Sequence, residues 1–464
     1  MRHQGRTGDR MKNLPLCSLR AWVSFTVGFV AVVCYVSLSQ FHVHRPPTTL
    51  DANIAFQNWF RHQGGWMSPK LSLVSSVEFN GNGLVVSGGG TLREGDVLLE
   101  IPMDLVLTKD KTIINFSSSV QEAISQIIQD PLDQQDVWIA MDLMLQCAMG
   151  SNSIWFPYIQ VLPSHVPRLA TFSDQELQLL QDDDDMAKYG ASQRNLLHQI
   201  WIRGVRSALL QQGQYQQEAI DIRKRKACWT ELSFHRFVAL SSSRAMILEN
   251  DTKYLSPMAE MINHADRPEA PTGTPTKAFQ AYHKLENDKL VVYADRDFQS
   301  GDMIVEEYGQ LDNSLYITAF GFVPLNNPHH CVLLPLPNSM DGAVCVNREG
   351  HMDEAVARNL AGELSNHNDN DDGHCDATTT TASPGEDAAL RVRAYVKQVA
   401  QRTLAASPTD LADDERLLQN LEETTPQGGE WRGMNRDRAR LALQFRIEEK
   451  KALQQILNLP GDQH

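Results

Sequence analysis

The stretch from Tyr254 to Pro324 constrains the fold of this 464-residue chain more than any other part of it. It opens with Tyr-Leu-Ser-Pro-Met-Ala-Glu-Met-Ile-Asn-His-Ala and closes with Glu-Glu-Tyr-Gly and then Ala-Phe-Gly-Phe-Val-Pro. Between these ends, residues 290–293 have strand character, and Gln-Ser-Gly-Asp is a turn signal that precedes a second apolar run. Each signal is weak alone, because an Asn-His pair is commonly a local hydrogen-bonding device and Tyr-Gly commonly ends a strand. Their order and spacing make them specific.

Together these segments resemble the two closing motifs of the SET-domain methyltransferases, and more narrowly the branch typified by the plant Rubisco large-subunit lysine methyltransferase. The pattern of that branch is Pro-x-Ala-Asp-x-Ile-Asn-His-Ser, then Tyr-Gly-x-x-x-Asn and Tyr-Gly-Phe. This chain departs from it with Glu260 for Asp, Ala265 for Ser and Phe320 for Tyr. The resemblance implies an α+β fold: a β-rich SET domain with a helical insert and a C-terminal helical domain like a substrate-binding domain.

Three further segments extend the resemblance along the chain. Residues 80–102 predict a glycine turn and two strands, which resemble the opening hairpin of the SET fold. Residues 153–163 contain Ser-Ile-Trp-Phe-Pro-Tyr and Leu-Pro, similar to a signature of the helical insert in this branch. Residues 243–246, Ser-Arg-Ala-Met, are similar to the Ser-Arg-x-Phe of the family.

The patterns divide the chain into seven segments. A buried helix is predicted over 137–149, and amphipathic helices are predicted over 388–407, 411–423 and 436–459. The segments are a basic tail (1–20), a membrane anchor (21–38), a stem (39–50), the N-terminal part of the SET domain (51–108), the helical insert (109–250), the C-terminal part of the SET domain (251–335), and a helical C-terminal domain (336–464) with a disordered insertion over 365–387.

The resemblance implies methyl transfer from S-adenosylmethionine to a neutral amine of a protein substrate. Such a reaction requires mainly that donor and acceptor are aligned in a narrow channel and that the amine is uncharged. The tyrosine that matches the catalytic one of the family is Tyr308, whose hydroxyl can orient the amine in the channel. Phe320 stands where relatives have tyrosine, and it either lines the channel or packs in the core.

The candidate cofactor-binding residues come from three places. Asn263 and His264 fit the role of holding the cofactor through backbone and amide groups. Arg244 pairs either with the carboxylate of the cofactor or with a nearby acid. The resemblance adds the residues of the glycine turn, since glycine lets a backbone approach a ligand closely. These residues are Asn80, Gly81, Asn82, Gly83 and Leu84.

Asn313 has a different expected role, which is to hold the loop after Tyr308.

The N-terminus has a separate signal. An uncharged run from Ala21 to Leu38 follows five Lys or Arg residues, and as a helix it spans roughly 27 Å, close to the thickness of a bilayer core. The segment is therefore predicted to be an uncleaved single-pass anchor in a membrane of the endomembrane system. Its basic flank is predicted to stay in the cytosol. A signal peptide cut after Ser39 and an organelle-targeting presequence are the alternatives.

Composition excludes some classes of site and partner. The formal net charge of −15 argues against nucleic-acid binding, which normally needs a basic surface. The seven cysteines form no Cys-x-x-Cys, so no metal site is predicted, and their spacing does not suggest a disulfide framework.

The sequence thus predicts an S-adenosylmethionine-dependent protein-lysine methyltransferase. A histidine acceptor is the first alternative, because one animal relative in this branch methylates a histidine of actin. A catalytically inactive, membrane-tethered binding module is the alternative from another class. A lumenal glycosyltransferase is suggested only by the anchor, since no Asp-x-Asp motif stands at a convincing strand end.

Overall fold

The structure is a computed structural model, and it describes most of the chain beyond the N-terminus. The described residues are 49–76, 81–181, 185–215, 226–265, 282–335, 343–368, 384–423, 431 and 433–460. The chain divides into two compact units, residues 1–52 and 53–464. Of the first unit only residues 49–52 are described, and they begin helix α1, Thr49–His62.

A four-stranded antiparallel sheet forms the centre of the β-structure between residues 66 and 293. Its strands are β1 (Trp66–Met67), β4 (Val97–Pro102), β9 (Lys289–Tyr293) and β8 (His283–Glu286), in that spatial order. The apolar runs at 97–102 and 290–293 form the two central strands, as the sequence predicts. These runs form strands because most of their Leu, Ile and Val side chains are buried in the largest hydrophobic core described, namely Leu98, Leu99, Ile101, Leu290 and Val292.

Four two-stranded sheets complete the β-structure. They pair β2 (Leu71–Ser76) with β3 (Gly81–Val86), β5 (Met246–Ile247) with β6 (Lys253–Tyr254), β7 (Asn263–His264) with β10 (Val305–Glu306), and β11 (Cys331–Leu334) with β12 (Val344–Asn347). Residues 81–84 were expected to form a turn. They lie instead in strand β3, because all of them pair with β2, from Gly81 opposite Ser76 to Leu84 opposite Leu73.

Helices fill the predicted insert. They are α2 (Lys109–Ile113), α3 (Ser118–Ile127), α4 (Pro131–Met149), α5 (Phe156–Val161), α6 (Asp174–Gln178), α7 (Asp185–Ile200), α8 (Arg206–Tyr215) and α9 (Glu231–Arg244). The buried helix predicted over 137–149 is confirmed as the C-terminal part of α4. Asp130 caps that helix by accepting bonds from the backbone of Leu132 and Asp133, and Pro131 occupies its first position.

The C-terminal region contains the hairpin β11–β12 and four long helices. A short helix, α10 (Asn313–Leu315), precedes them in the chain. The long helices are α11 (Glu354–Asn368), α12 (Pro384–Ala406), α13 (Leu411–Glu423) and α14 (Arg436–Asn458). The three amphipathic helices predicted here are confirmed. Helices α11 and α12 take in residues 365–368 and 384–387, the two ends of the segment expected to be disordered, and 369–383 lie outside the described residues.

A hydrophobic cluster connects α14 to the helical insert and to the residues that follow α10. Leu441 and Phe445 of α14 are buried together with Phe172 of the insert and with Ile317 and Val323, which follow α10. The same helix contributes Ala452, Leu453 and Ile456 to a second cluster with β11 and α12. Helix α14 therefore packs on both the C-terminal domain and the residues around the candidate site.

Two disulfide bonds join Cys147 to Cys228 and Cys331 to Cys345, with Cα–Cα distances of 5.9 and 5.4 Å. The expectation of no disulfide framework is therefore wrong. The paired cysteines come together only in the folded chain. Cys147 lies in the last turn of α4, and Cys228 precedes α9, which packs on α4; the two cysteines are 81 residues apart in sequence. The second pair bridges the β11–β12 hairpin.

Among the residues that the structure describes, no helix combines the length and the hydrophobicity that a membrane span needs. The predicted anchor over residues 21–38 lies outside the described residues.

Candidate active site

The two motifs that define the stretch 254–324 meet through a parallel strand pair. Strand β7 carries Asn263 and His264, and strand β10 ends two residues before Tyr308; Val305 lies opposite Asn263 and Glu306 opposite His264. The backbone N–H of Tyr308 donates a hydrogen bond of 3.2 Å to Nδ1 of His264. The Asn-His pair and the tyrosine are therefore neighbours in space although 44 residues separate His264 from Tyr308 in sequence.

The hydroxyl group of Tyr308 is held in place by the backbone. It donates a 2.8 Å hydrogen bond to the carbonyl oxygen of Ile262, the residue before β7. Burial raises the pKa of Tyr308 well above its ordinary value, and the nearby Glu306 carboxylate adds to the shift. The hydroxyl is consequently protonated throughout the physiological pH range and acts as a fixed donor.

Aromatic rings surround Tyr308 on one side. The ring centroid of Phe320 lies 5.1 Å from that of Tyr308, and the ring of Phe322 meets Tyr308 edge-on at 6.3 Å. The ring of His264 lies 5.3 Å from Tyr308 and 4.9 Å from Tyr316. These packed rings make the surroundings of the hydroxyl apolar and rigid.

Gly321 allows these rings to approach the insert. It ends a π-helical turn, Tyr316–Phe320, in the left-handed region with φ +78°. A Cβ atom at this position would lie 3.1 Å from the carbonyl carbon of Pro167 and 3.2 Å from the backbone nitrogen of Arg168. Only glycine fits both the conformation and the close contact, so Phe320 and Phe322 can flank the site from adjacent positions.

Asn263 connects the site to strand β3. Its side-chain amide donates a 3.3 Å hydrogen bond to the carbonyl oxygen of Asn82. A Cβ atom on Gly83 would come within 3.0 Å of the same amide. The structure thus brings Asn263 together with two of the predicted turn residues, Asn82 and Gly83, while Asn80 lies outside the described residues.

Arg244 pairs with a nearby acid. Its guanidinium donates to both the side-chain and the backbone oxygen of Glu260, and that side chain is fully buried. Burial alone would lower the pKa of Arg244, but the Glu260 charge and hydrogen bond outweigh burial and raise it. The buried Nε–H of Arg244 has no hydrogen-bond partner among the described residues, so one donor of the guanidinium is left for a ligand.

Asn313 closes the loop after Tyr308. Its side-chain oxygen accepts a 2.9 Å hydrogen bond from Asn327, whose amide also donates to the carbonyl oxygen of Leu311. The backbone N–H of Asn313 donates to Nδ1 of the buried His330. As predicted, Asn313 holds this loop, through hydrogen bonds that connect residues within the segment 311–330.

A cavity of about 300 Å³ lies beside Tyr308, which lines it together with Phe320. Three parts of the chain form its wall. The insert contributes Pro163, His165, Val166 and Pro167; the motif regions contribute Ser243, Arg244, Asn263, His264, Tyr308, Phe320, Gly321 and Phe322; and helix α14 contributes Asp437, Arg440 and Leu441. Its size is within the range of small-molecule sites in proteins.

Part of this wall was not predicted from the sequence. The motifs identify Tyr308, Asn263, His264, Arg244 and Phe320, but they assign no role to residues 163–167 of the insert or to α14. The signal for α14 was present, because Asp437, Arg440 and Leu441 are spaced i, i+3, i+4 and so share one helix face. Nothing in the sequence indicates that this face turns toward Tyr308. Among the described residues, no cluster of three or more metal-ligating side chains is found.

Comparison with known proteins supports the fold. Residues 348–453 match the family described as Rubisco LSMT substrate-binding. The structure of Rubisco LSMT bound to AdoMet superposes with a TM-score of 0.55 at 18% identity, covering 88% of this chain and 90% of that one. The structure of Rubisco LSMT bound to sinefungin and monomethyllysine gives the same TM-score and coverage.

Two curated relatives share sequence with the chain. The actin-histidine N-methyltransferase of Mus musculus is 25% identical over 293 residues, which are 60% of this chain and 45% of that protein. The chain thus matches less than half of the length of that relative. Protein SET DOMAIN GROUP 40 of Arabidopsis thaliana is 20% identical over 396 residues, 78% of this chain and 76% of that protein.

These findings agree with the architecture. The α+β fold, with its sheets, its helical insert and its C-terminal helices, is the fold of the Rubisco LSMT structures. The match over 348–453 falls on the region of α11 to α14. The chain therefore resembles, as its motifs imply, the SET-domain methyltransferases of the Rubisco LSMT branch in both sequence and fold.

Proposed function

We propose that this chain is an S-adenosylmethionine-dependent protein methyltransferase that acts on lysine. The observation that carries the proposal is the β7–β10 pairing, which places Asn263, His264 and Tyr308 on one cavity. The Rubisco LSMT structures with the same fold contain AdoMet or sinefungin, and one contains monomethyllysine. These ligands support the proposed cofactor and the proposed acceptor class.

The residues present fit the cofactor. Arg244 lines the cavity and keeps a buried Nε–H donor without a partner among the described residues, which suits a carboxylate. Asn263 and Ser243 line the same cavity and are further polar residues of its wall. When bound, S-adenosylmethionine supplies an electrophilic methyl group.

The chain itself prepares the acceptor amine. The rings of Phe320, Phe322 and Tyr308 form an apolar part of the cavity wall, and desolvation against such a wall lowers the pKa of a lysine amine from its usual value of about 10.4. The amine loses its proton to solvent before it reacts, and the aliphatic stem of lysine packs against the rings. The protonated Tyr308 hydroxyl then orients the neutral amine toward the methyl group.

The first test is cofactor binding. We expect residues 51–464 to bind S-adenosylmethionine in isothermal titration calorimetry, and Asn263→Ala to weaken that binding by about 1–3 kcal/mol through loss of a half-buried amide. Asn420→Ala, which changes an exposed asparagine of α13, is the matched control and should bind normally. No binding by the unaltered protein would favour the alternative of an inactive binding module.

A second test concerns the degree of methylation. Phe320 lines the cavity beside Tyr308 and has no hydroxyl to hold the amine or a water. We therefore expect the enzyme to favour the di- and trimethylated forms of lysine, and Phe320→Tyr to shift the product toward monomethyl-lysine without abolishing the first transfer. Intact-mass analysis of the modified peptide measures this distribution, and identical distributions for the two proteins would assign Phe320 to core packing.

A histidine acceptor is the second candidate. The relatives named actin-histidine N-methyltransferase favour it, and flat aromatic walls also suit an imidazole ring. Fragmentation mass spectrometry of proteins methylated with and without this chain identifies the modified residue. Modification of histidine alone would replace lysine in the proposal and leave the cofactor and the role of Tyr308 unchanged.

We also propose that residues 21–38 anchor the chain in a membrane and that the remainder lies in an oxidising compartment. Two disulfide bonds support the compartment, because such bonds persist mainly in secretory and extracellular spaces. The basic flank at 1–20 supports the orientation. This topology requires that S-adenosylmethionine is supplied to that compartment.

The topology predicts a protease result. Protease added to sealed microsomes should remove only the N-terminal tail. Peptide mapping of the unreduced protein should recover Cys147 linked to Cys228. Because this disulfide joins residues that are 81 positions apart, we expect Cys228→Ser to lower the free energy of unfolding by roughly 2–4 kcal/mol. Digestion of the catalytic region in sealed vesicles would place it in the cytosol instead.

A further inference from the structure

One face of helix α14 forms part of the wall of the cavity. Asp437, Arg440 and Leu441 line it, and their i, i+3, i+4 spacing places them on the same side of the helix. This helix begins within the region that matches the substrate-binding family. The side chains on this face can therefore touch a substrate segment that enters the cavity.

The start of α14 is held firmly in position. Asn435 caps the helix by accepting hydrogen bonds from the backbone of Asp437 and Arg438. Arg438 donates two hydrogen bonds, of 2.7 and 3.3 Å, to the fully buried carboxylate of Glu176. Leu441 is buried in the cluster that contains Ile317. The charged groups of this face are consequently presented by a rigid element, as selective recognition requires.

Arg440 is the cation of the cavity wall that remains available. The guanidinium of Arg244 is paired with Glu260. Burial, and then the neighbouring Arg438, lower the pKa of His165, so this ring is neutral at pH 7. Arg440 is exposed, and no ion pair joins it to any of the described residues.

Asp437 is a weaker candidate for recognition of a charged partner. Its carboxylate stands in the first turn of α14, where the N-terminal end of the helix dipole favours a negative charge. Arg440 lies one turn further along α14, and the helix dipole does not stabilise its positive charge in the same way. Because the net charge of the chain is −15, long-range electrostatics do not attract acidic proteins. Arg440 therefore acts only through direct contact with a substrate that has already reached the cavity.

We infer that Arg440 selects protein substrates that carry an aspartate or glutamate within a few residues of the methylated residue. This inference rests on the proposed function of the same cavity. The planar guanidinium offers two parallel N–H donors that match a carboxylate, which a lysine at this position would not do. An acidic neighbour would thereby fix the register of the substrate, with the acceptor directed toward Tyr308.

A peptide series tests the inference. Synthetic lysine peptides carry Asp, Asn or Lys in turn at each of the three positions on either side of the acceptor. At one of these six positions, the unaltered protein should methylate the peptide with Asp with a kcat/KM about 10- to 100-fold above that for the peptide with Asn, as expected for a charge-assisted hydrogen bond. Arg440→Glu should reverse the preference, in favour of Lys at that position.

Arg402→Glu is the control, because it makes the same charge change at an exposed arginine of α12 that does not line the cavity. It should keep the preference for Asp. Thermal unfolding confirms that each variant is folded, and fluorescence anisotropy measures binding of the same peptides independently of turnover.

The two readouts separate the inference from the proposed function. Equal methylation of all peptides by the unaltered protein would overturn the role of Arg440 and leave the methyltransferase proposal standing. Preferential binding of Asp peptides that Arg440→Glu abolishes, without any methyl transfer, would support Arg440 and overturn the proposed activity. Absence of both binding preference and methylation preference would overturn the inference.

Discussion

Tyr308→Phe is expected to reduce kcat by at least about 100-fold while the protein remains folded. The substitution removes only the hydroxyl, which donates to the carbonyl oxygen of Ile262, from a tyrosine that lines the cavity. Positioning of reactants accounts for much of the barrier lowering in a displacement of this kind. Loss of one hydrogen bond costs about 1 kcal/mol in stability. Single-turnover kinetics with a lysine peptide, together with thermal unfolding, measures both effects.

Tyr316→Phe is the matched control for this substitution. Its hydroxyl also donates to a backbone carbonyl, that of Gly309, at 2.7 Å, but Tyr316 does not line the cavity. The two variants should lose similar stability, whereas Tyr316→Phe should keep kcat within a few-fold. Turnover by folded Tyr308→Phe close to that of the unaltered protein would remove Tyr308 from the mechanism.

Asp414→Ala is expected to cause the largest loss of stability, about 3–5 kcal/mol. The fully buried carboxylate of Asp414 accepts hydrogen bonds of 2.6 Å from both Arg446 and Lys450, two buried residues of α14. Removing the carboxylate leaves two cations buried beside one another without the anion that compensates them. Urea unfolding followed by circular dichroism measures the change.

Asp413→Ala is the control, because it removes the same side chain from the adjacent position of α13. Asp413 pairs with the exposed Arg416, and exposed pairs contribute about 0–1 kcal/mol. Both positions lie in the first turn of α13, so the helix dipole affects them alike. Equal effects of the two substitutions would show that the buried network adds no stability.

The motifs in the sequence predicted the candidate site because each motif is itself continuous in the chain. Asn263 and His264 form one short strand, and Tyr308 follows another, so their identities and order could be read directly. The amphipathic helices of the C-terminal region were also predictable, since each apolar stripe repeats with the helical period. The prediction for residues 81–84 failed because glycine and asparagine favour a turn locally, and pairing with β2 overrode that preference.

The sequence by itself predicted the type of fold, through its motifs, the strands at 97–102 and 290–293, four of the helices, and Asn263, His264 and Tyr308 as candidate site residues. Only the tertiary structure decided which distant groups meet. It paired Arg244 with Glu260, joined Cys147 to Cys228 and turned the Arg440 face of α14 toward the cavity. Local sequence patterns set the periodicity of apolar residues and the backbone preference of each segment. The contacts named above depend instead on how helices and strands pack, and this packing is determined jointly by residues that lie far apart in the chain.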